Sequence, residues 1–377
     1  MNTPTPKRVN TSPSGAATLL RRSKKRSSRS RVKQVFIVLF LLLLLFSMWF
    51  AIWFYFTATG SKYRFLLADS LITTQHRHWA QYLIGEEGLN RRVEETMKRF
   101  DDWGETKDTH VIPAFPPIEK KQQQELVEIK PIQGDNFKGH LLIVNDPKAI
   151  RIMVPDKVGK GEKVSSMVKR TGAIAGVNAG GFVDPEWMGN GFQPTGLVIS
   201  NGKIIYNDGS SDAATSIVGI DQNGKMVAGK YKPSELIRIG VKEAVTFSPK
   251  FINNGIGLVK NQADGWGIAP RTCMAQKADG TILFAVIDGR LPGHSIGATL
   301  YDIQEIFLRE GAIIAANLDG GSSSVLVHRN EILNRPASPY GERYLPTAFL
   351  IFQNANSVEV NNIWKGVDMS KFDASKW

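Results

Sequence analysis

"TILFAVIDGR" (281–290) and "TLYDIQEIFLREGAIIAANLDGGSSS" (299–324) decide how this chain is read. The first is an apolar run ending in Asp288-Gly289-Arg290. The second opens on Thr299, with Asp302 three residues on. That is a capping box, in which each side chain satisfies an orphan N–H of the other residue. Leu300, Ile303 and Phe307 share one face at helical spacing, and Gly311 suits the position just past a helix end. A second apolar run, 312–318, then stops at Asp319-Gly320-Gly321. The order strand, capped helix, strand is a β-α-β unit over 281–318. If its strands are parallel neighbours, the crossover is right-handed. Asp288 and Asp319 then share the sheet edge at the C-terminal strand ends, where open α/β sheets hold their ligands.

The same texture extends over 128–354. Short apolar runs alternate with turn signals, as in "GLVISNGKIIY", "TSIVGIDQNGKMVAG" and "TCMAQKADGTILFAVIDG". Asn-Gly and Asp-Gly between apolar runs mark hairpins, and a short helix fits 163–170. The predicted fold class is α+β: a strand-rich, mixed-sheet domain at 128–354, with a C-terminal tail at 355–377.

Upstream, the composition changes. Residues 1–34 hold ten Lys or Arg and no acid, which leaves +2 of the net +12 for the remaining chain. The high pI therefore describes a tail, not a nucleic-acid-binding face. Directly after it, Val35–Phe56 is a run of 22 uncharged residues, enough to cross a bilayer core. A cleavable signal would have a shorter apolar core and a small-residue cleavage site. The expectation is a single-pass anchor with Trp49, Trp53 and Tyr55 at the far interface and the basic 1–34 tail in the cytoplasm. The rest would lie outside. Residues 57–127 read as a helical stalk and linker, broken at Gly85 and Gly88 and ended by Pro113, Pro116 and Pro117. His76 and His78 lack an acidic or Cys partner at metal-ligand spacing. Cys273 is the only cysteine, so no intrachain disulfide forms. An extracytoplasmic chain without disulfides fits a bacterial surface.

Three segments share one design, an apolar strand followed by a polar residue and glycines: "GVNAGGF" with Asn178, Gly180 and Gly181; "AVIDGR" with Asp288, Gly289 and Arg290; and "ANLDGGSSS" with Asp319, Gly320, Gly321, Ser322 and Ser323. Glycines there let backbone N–H groups approach a ligand and form an anion nest. A fourth piece, "APRTCMA", starts a strand on Arg271 and Thr272. Arg271 could brace the carboxylates or clamp a phosphate. No Walker A loop and no G-x-S-x-G elbow is present. A serine nucleophile at Ser322 or Ser323 would need His294 or His328 brought in by folding. Cys273 reads as a small core residue.

These pieces, "NAGGF", "RT" (271–272), "DGR" (288–290), a capped helix and "NLDGGSSS" (317–324), resemble in order and spacing the phosphodiester glycosidase family. The resemblance covers about 130–352 and is strongest over 271–327. Two departures stand out: Ser322 stands where the family often has a third glycine, and "NAGGF" where relatives carry "NGGFF" or "NAGYF". Bacterial relatives of this type are associated with exopolysaccharide. The resemblance implies hydrolysis of a carbohydrate 1-phosphodiester to free sugar and a phosphomonoester. Asp319 and Asp288 would then be nucleophile or base, the other residues of the four segments would bind substrate, and Asn178 would orient it. Phosphate beside carboxylates would also accept Mg²⁺ or Ca²⁺, although no ligand spacing demands a metal. Two other readings stay open: a non-catalytic glycan-binding or exopolysaccharide-assembly protein, and a serine hydrolase.

Overall fold

The structure, a computed structural model, describes residues 24–111, 125–209 and 212–377. Most of the basic tail and Pro113, Pro116 and Pro117 lie outside them. The chain divides into two compact units between Ser61 and Lys62. In the first, helix Lys24–Phe56 contains a 26-residue stretch, Arg31–Phe56, long and apolar enough to cross a membrane.

The second unit is α+β, as expected, with three sheets in which every neighbouring pair is antiparallel. The largest has seven strands, in the order Val127–Gln133, Lys138–Val144, Ile282–Ile287, Arg271–Lys277, Ala312–Asn317, Lys250–Asn253 and Ile256–Gly257. Its strands alternate between two cores. Met274, Phe284, Val286, Ile314 and Ala316 face the other two sheets. Cys273, Leu283, Ala285, Ile287 and Ala315 face helix Leu300–Arg309. Both faces are covered, which is why these strands are apolar throughout instead of alternating with polar residues.

The capping box forms as read: Thr299 Oγ1 accepts from Asp302 N at 3.2 Å, and Asp302 Oδ2 accepts from Thr299 N at 2.8 Å. Gly311 takes φ 85°. The β-α-β reading needs one correction. The strands Ile282–Ile287 and Ala312–Asn317 are parallel but not neighbours, because Arg271–Lys277 lies between them and pairs antiparallel with both. Each flanking strand thus gains the stronger antiparallel ladder. The start of the middle strand, Arg271, falls between the two C-terminal ends that carry Asp288 and Asp319.

Two expected boundaries dissolve. The segment read as a stalk packs on the domain: Phe100 is buried with Phe251, Phe307 and Ala298, and Trp103 lies against the same cluster. Helix Glu86–Glu105 is amphipathic, and its apolar stripe found a sheet-and-helix face to cover. We call residues 62–111 the arm. The tail at 355–377 also returns to the core. Trp364 Nε1 donates to Phe192 O at 2.9 Å, and the Phe192 and Phe372 rings are 4.9 Å apart.

Candidate active site

A cavity of about 580 Å³ opens at the strand edge described above. Pro270, Arg271, Arg290, Asn317, Asp319, Gly320 and Gly321 line one side. The arm supplies Thr73, Met97, Phe100 and Asp101, and Thr195, Thr215 and Thr246 come from in or beside the sheet of Leu197–Ser200 and Val241–Thr246. Trp187, Lys230, Phe247 and Trp266 also line the cavity.

Two carboxyls line this cavity, Asp101 on the arm and Asp319 at the strand edge, and Asp319 is the more enclosed. Its Oδ1 accepts from Gly320 N at 3.0 Å. Its Oδ2 is buried and has no hydrogen-bond partner among the described residues. Burial pushes its pKa up to about 7, against the opposing pull of the Ser323 hydroxyl, the Arg343 charge and the Gly320 N–H. A carboxyl that titrates near neutrality can serve as a general base.

The backbone N–H groups of the Gly320–Ser324 turn are largely spent within the protein. Gly321 N donates to Pro270 O at 2.8 Å, Ser323 N to Gly320 O at 3.1 Å and Ser324 N to Gly321 O at 3.3 Å. The anion nest expected here is therefore mostly occupied, and positive charge at the cavity comes from side chains. Arg290, at φ 56°, donates from Nη2 to Thr73 O of the arm at 3.2 Å. Its guanidinium lies beside Gly321, and its pKa is lowered by burial.

Arg271 is fully enclosed, and burial pulls its pKa down to about 10. Its Nε donates to Ala298 O at 2.8 Å, and its Nη2 to the carbonyls of Gly265, Trp266 and Gly267. That carbonyl cage offsets the cost of a buried guanidinium. The arm in turn holds the cage. Arg92 donates to Ala263 O at 3.0 Å, Arg99 pairs with Asp264 at 2.7 Å, and Ser70 Oγ accepts from Ile268 N at 2.9 Å.

The structure does not place Asp288 in this cavity wall. Its Oδ2 meets His294 Nε2 at 2.7 Å, and its Oδ1 accepts from Arg335 N at 2.7 Å. Asp288 and Gly289 thus anchor the turn that aims Arg290 at the cavity. At Gly289 a Cβ would fall 2.8 Å from Ile296 O. Asn178 is fully buried and its amide is committed: Nδ2 donates to Asp319 O at 2.5 Å, while Oδ1 accepts from Thr272 Oγ1 at 2.7 Å and Val325 N at 3.1 Å. Asn178 and Thr272 therefore fix the Asp319 turn from behind. Gly180 and Gly181 let this segment close against Val245 and Thr195, where a Cβ would lie within 2.9 Å of each.

Ser322 Oγ accepts from Arg343 at 3.4 Å. No hydrogen bond joins His294 or His328 to these serines among the described residues, so a serine nucleophile gains no base. Among the described residues, no group of three or more His, Cys, Asp and Glu gathers to hold a metal. Sequence reasoning missed Asp184, Trp187 and Arg343. Arg343 forks onto Asp184 at 2.7 and 2.9 Å. The two are 159 residues apart, with no shared motif to signal the pairing.

Residues 171–352 match the phosphodiester glycosidase family. The match spans just under half of the chain and supports the resemblance read from its sequence motifs. The chain is 32% identical over 188 residues to the uncharacterized SPbeta prophage-derived protein YomE of Bacillus subtilis (strain 168), covering 46% of this chain and 27% of that one. It is 23% identical over 230 residues to the N-acetylglucosamine-1-phosphodiester alpha-N-acetylglucosaminidase of Mus musculus, covering 54% of this chain and 42% of the mouse protein. It thus spans less than half the length of both curated relatives. The phosphodiester glycosidase fold is shared with the zebrafish N-acetylglucosamine-1-phosphodiester alpha-N-acetylglucosaminidase catalytic domain, a structure described as auto-inhibited by its pro-peptide. The match has a TM-score of 0.53 at 19% identity and covers 66% of this chain and 89% of that one.

Proposed function

We propose that this chain hydrolyses an α-glycosyl-1-phosphodiester to free sugar and a phosphomonoester at the cavity of Asp319, Arg271 and Arg290. One observation carries the reading: a half-buried carboxyl with an unpartnered oxygen sits in a wall that also holds Arg290, whose guanidinium lies beside Gly321. The carboxyl suits a carbon that gains oxocarbenium character, and the Arg290 guanidinium suits a phosphate that gains charge. Water adds to the anomeric carbon and gives its proton to Asp319. The bond from that carbon to the phosphate oxygen breaks, and the electron pair leaves with the phosphomonoester. So stable a leaving group needs no acid on its oxygen, which fits a cavity wall without Asp288. Direct attack by Asp319 on the same carbon would instead expel the phosphomonoester to give a glycosyl ester, which water then hydrolyses. Product configuration separates the two routes: inversion for a base, retention for a nucleophile.

N-acetylglucosamine is the first sugar to test, because the mouse and zebrafish proteins are named for it. The apolar helix and its basic flank support a single-pass anchor with the domain outside the membrane. Glycosyl-phosphate branches of wall polymer or exopolysaccharide would then be within reach. The test is release of free sugar from a synthetic N-acetylglucosamine-1-phosphodiester by the full chain in detergent. Turnover lost in Asp319→Asn supports the reading. No release from a panel of sugar 1-phosphodiesters, or full turnover by Asp319→Asn, sinks it.

A further inference from the structure

We infer that Trp187 is the platform on which the substrate's sugar ring stacks, held in place by a clasp between Asp184 and Arg343. This rests on the glycosyl-phosphodiester reading above and assigns the sugar end of that site. Trp187 lines the cavity yet remains 47% exposed. It also follows Glu186 in the left-handed region, with φ 49° and then 63°. Two successive bulky residues at positive φ are costly and persist only where the surroundings hold them.

The surroundings do so here. Asp184 Oδ1 accepts from Gly189 N at 2.7 Å. Arg343 grips both Asp184 oxygens, and its Nη2 also donates to Gly189 O at 3.3 Å. One guanidinium thus closes the 184–189 loop at both ends. The same guanidinium lies 4.9 Å from the Phe182 ring centre and reaches Ser322, in the turn that carries Asp319. The loop presenting the indole and the turn presenting the carboxyl therefore share one anchor.

A pyranose offers a face of C–H groups and a rim of hydroxyls. The cavity offers the more exposed of its two indoles at Trp187, the residues Thr195 and Thr246, and Asp101 with Lys230 3.9 Å from it. That pairing of an aromatic surface with polar groups matches the ring, while a phosphate suits the guanidinium side. The sugar then lies toward Trp187 and the phosphate toward Arg290.

Full-chain Trp187→Ala and Trp187→Phe test this. Trp187→Ala should raise KM for the N-acetylglucosamine-1-phosphodiester about tenfold, a loss of roughly 1.4 kcal/mol, with kcat little changed. It should abolish inhibition by free N-acetylglucosamine and leave inhibition by inorganic phosphate intact. Trp187→Phe should recover most of the KM. An unchanged KM, or equal loss of sugar and phosphate inhibition, overturns the platform. If wild type turns over no diester, sugar binding is read by ligand-observed NMR. Binding lost in Trp187→Ala then keeps the platform while the hydrolase reading falls. Binding unaffected by Trp187→Ala removes the platform as well.

Discussion

Asp319 carries both the chemistry and a cost in stability. Its pKa rises on folding from the ordinary aspartate range near about 4 to about 7. The folded state therefore holds this proton more tightly, and the group's contribution to stability is present below the unfolded value. It is lost as pH rises through 7. Asp319→Asn should melt higher than wild type, with a gap that widens from pH 4 to 7 and then stays level in calorimetry. Its turnover should fall about 10³-fold or more. Wild-type kcat/KM should climb with pH and level off above 7, as ionisation completes. Arg290→Ala should cost about 1.5–3 kcal/mol of substrate binding, the worth of hydrogen bonds to a charged group, read as a higher KM. Much of this site was legible in the sequence: "NLDGGSSS", "DGR" and "PRT" converge on one edge because each ends or begins a strand of one sheet. What the sequence concealed was direction. Asn178 and Thr272 look polar enough to touch substrate, yet their side chains point into the scaffold and are used up there. Arg343 was invisible because only folding brings it to Asp184.

At the scale of elements, the arm is the largest surprise. Its helical periodicity was plain, but an amphipathic stripe does not reveal what it covers, and Pro113, Pro116 and Pro117 suggested separation. In the fold, Phe100 fills the core beside helix Leu300–Arg309 and the arm braces the loop that cages Arg271. Phe100→Ala should cost about 3–5 kcal/mol, measured by urea unfolding. An arm that merely linked the domain to the membrane would show a change near zero. The crossover helix, by contrast, was readable to its caps, because Thr299, Asp302 and Gly311 act locally and need no tertiary partner.

Across the whole molecule, the three sheets meet in one core that the C-terminal residues help to close. Trp364, only 5% exposed, packs at 5.3 Å from the Tyr206 ring. Trp364→Ala should therefore lower stability by about 3–5 kcal/mol; an unshifted melting temperature would show the segment to be dispensable. The tail reading failed because "NNIWKGVDMSKFDASKW" is mostly polar, and its few aromatics declare themselves only when a pocket awaits them. The arm's bonds carry a further consequence, one of timing. Ser70 waits for Ile268, 198 residues later, and Thr73 for Arg290, 217 residues later. At about 5–20 residues per second of synthesis, Phe100 and its neighbours emerge roughly 10–40 s before the surface that will bury them. The cavity has no second wall until that interval ends, so a ribosome stalled before residue 290 carries an arm still open to proteases and chaperones.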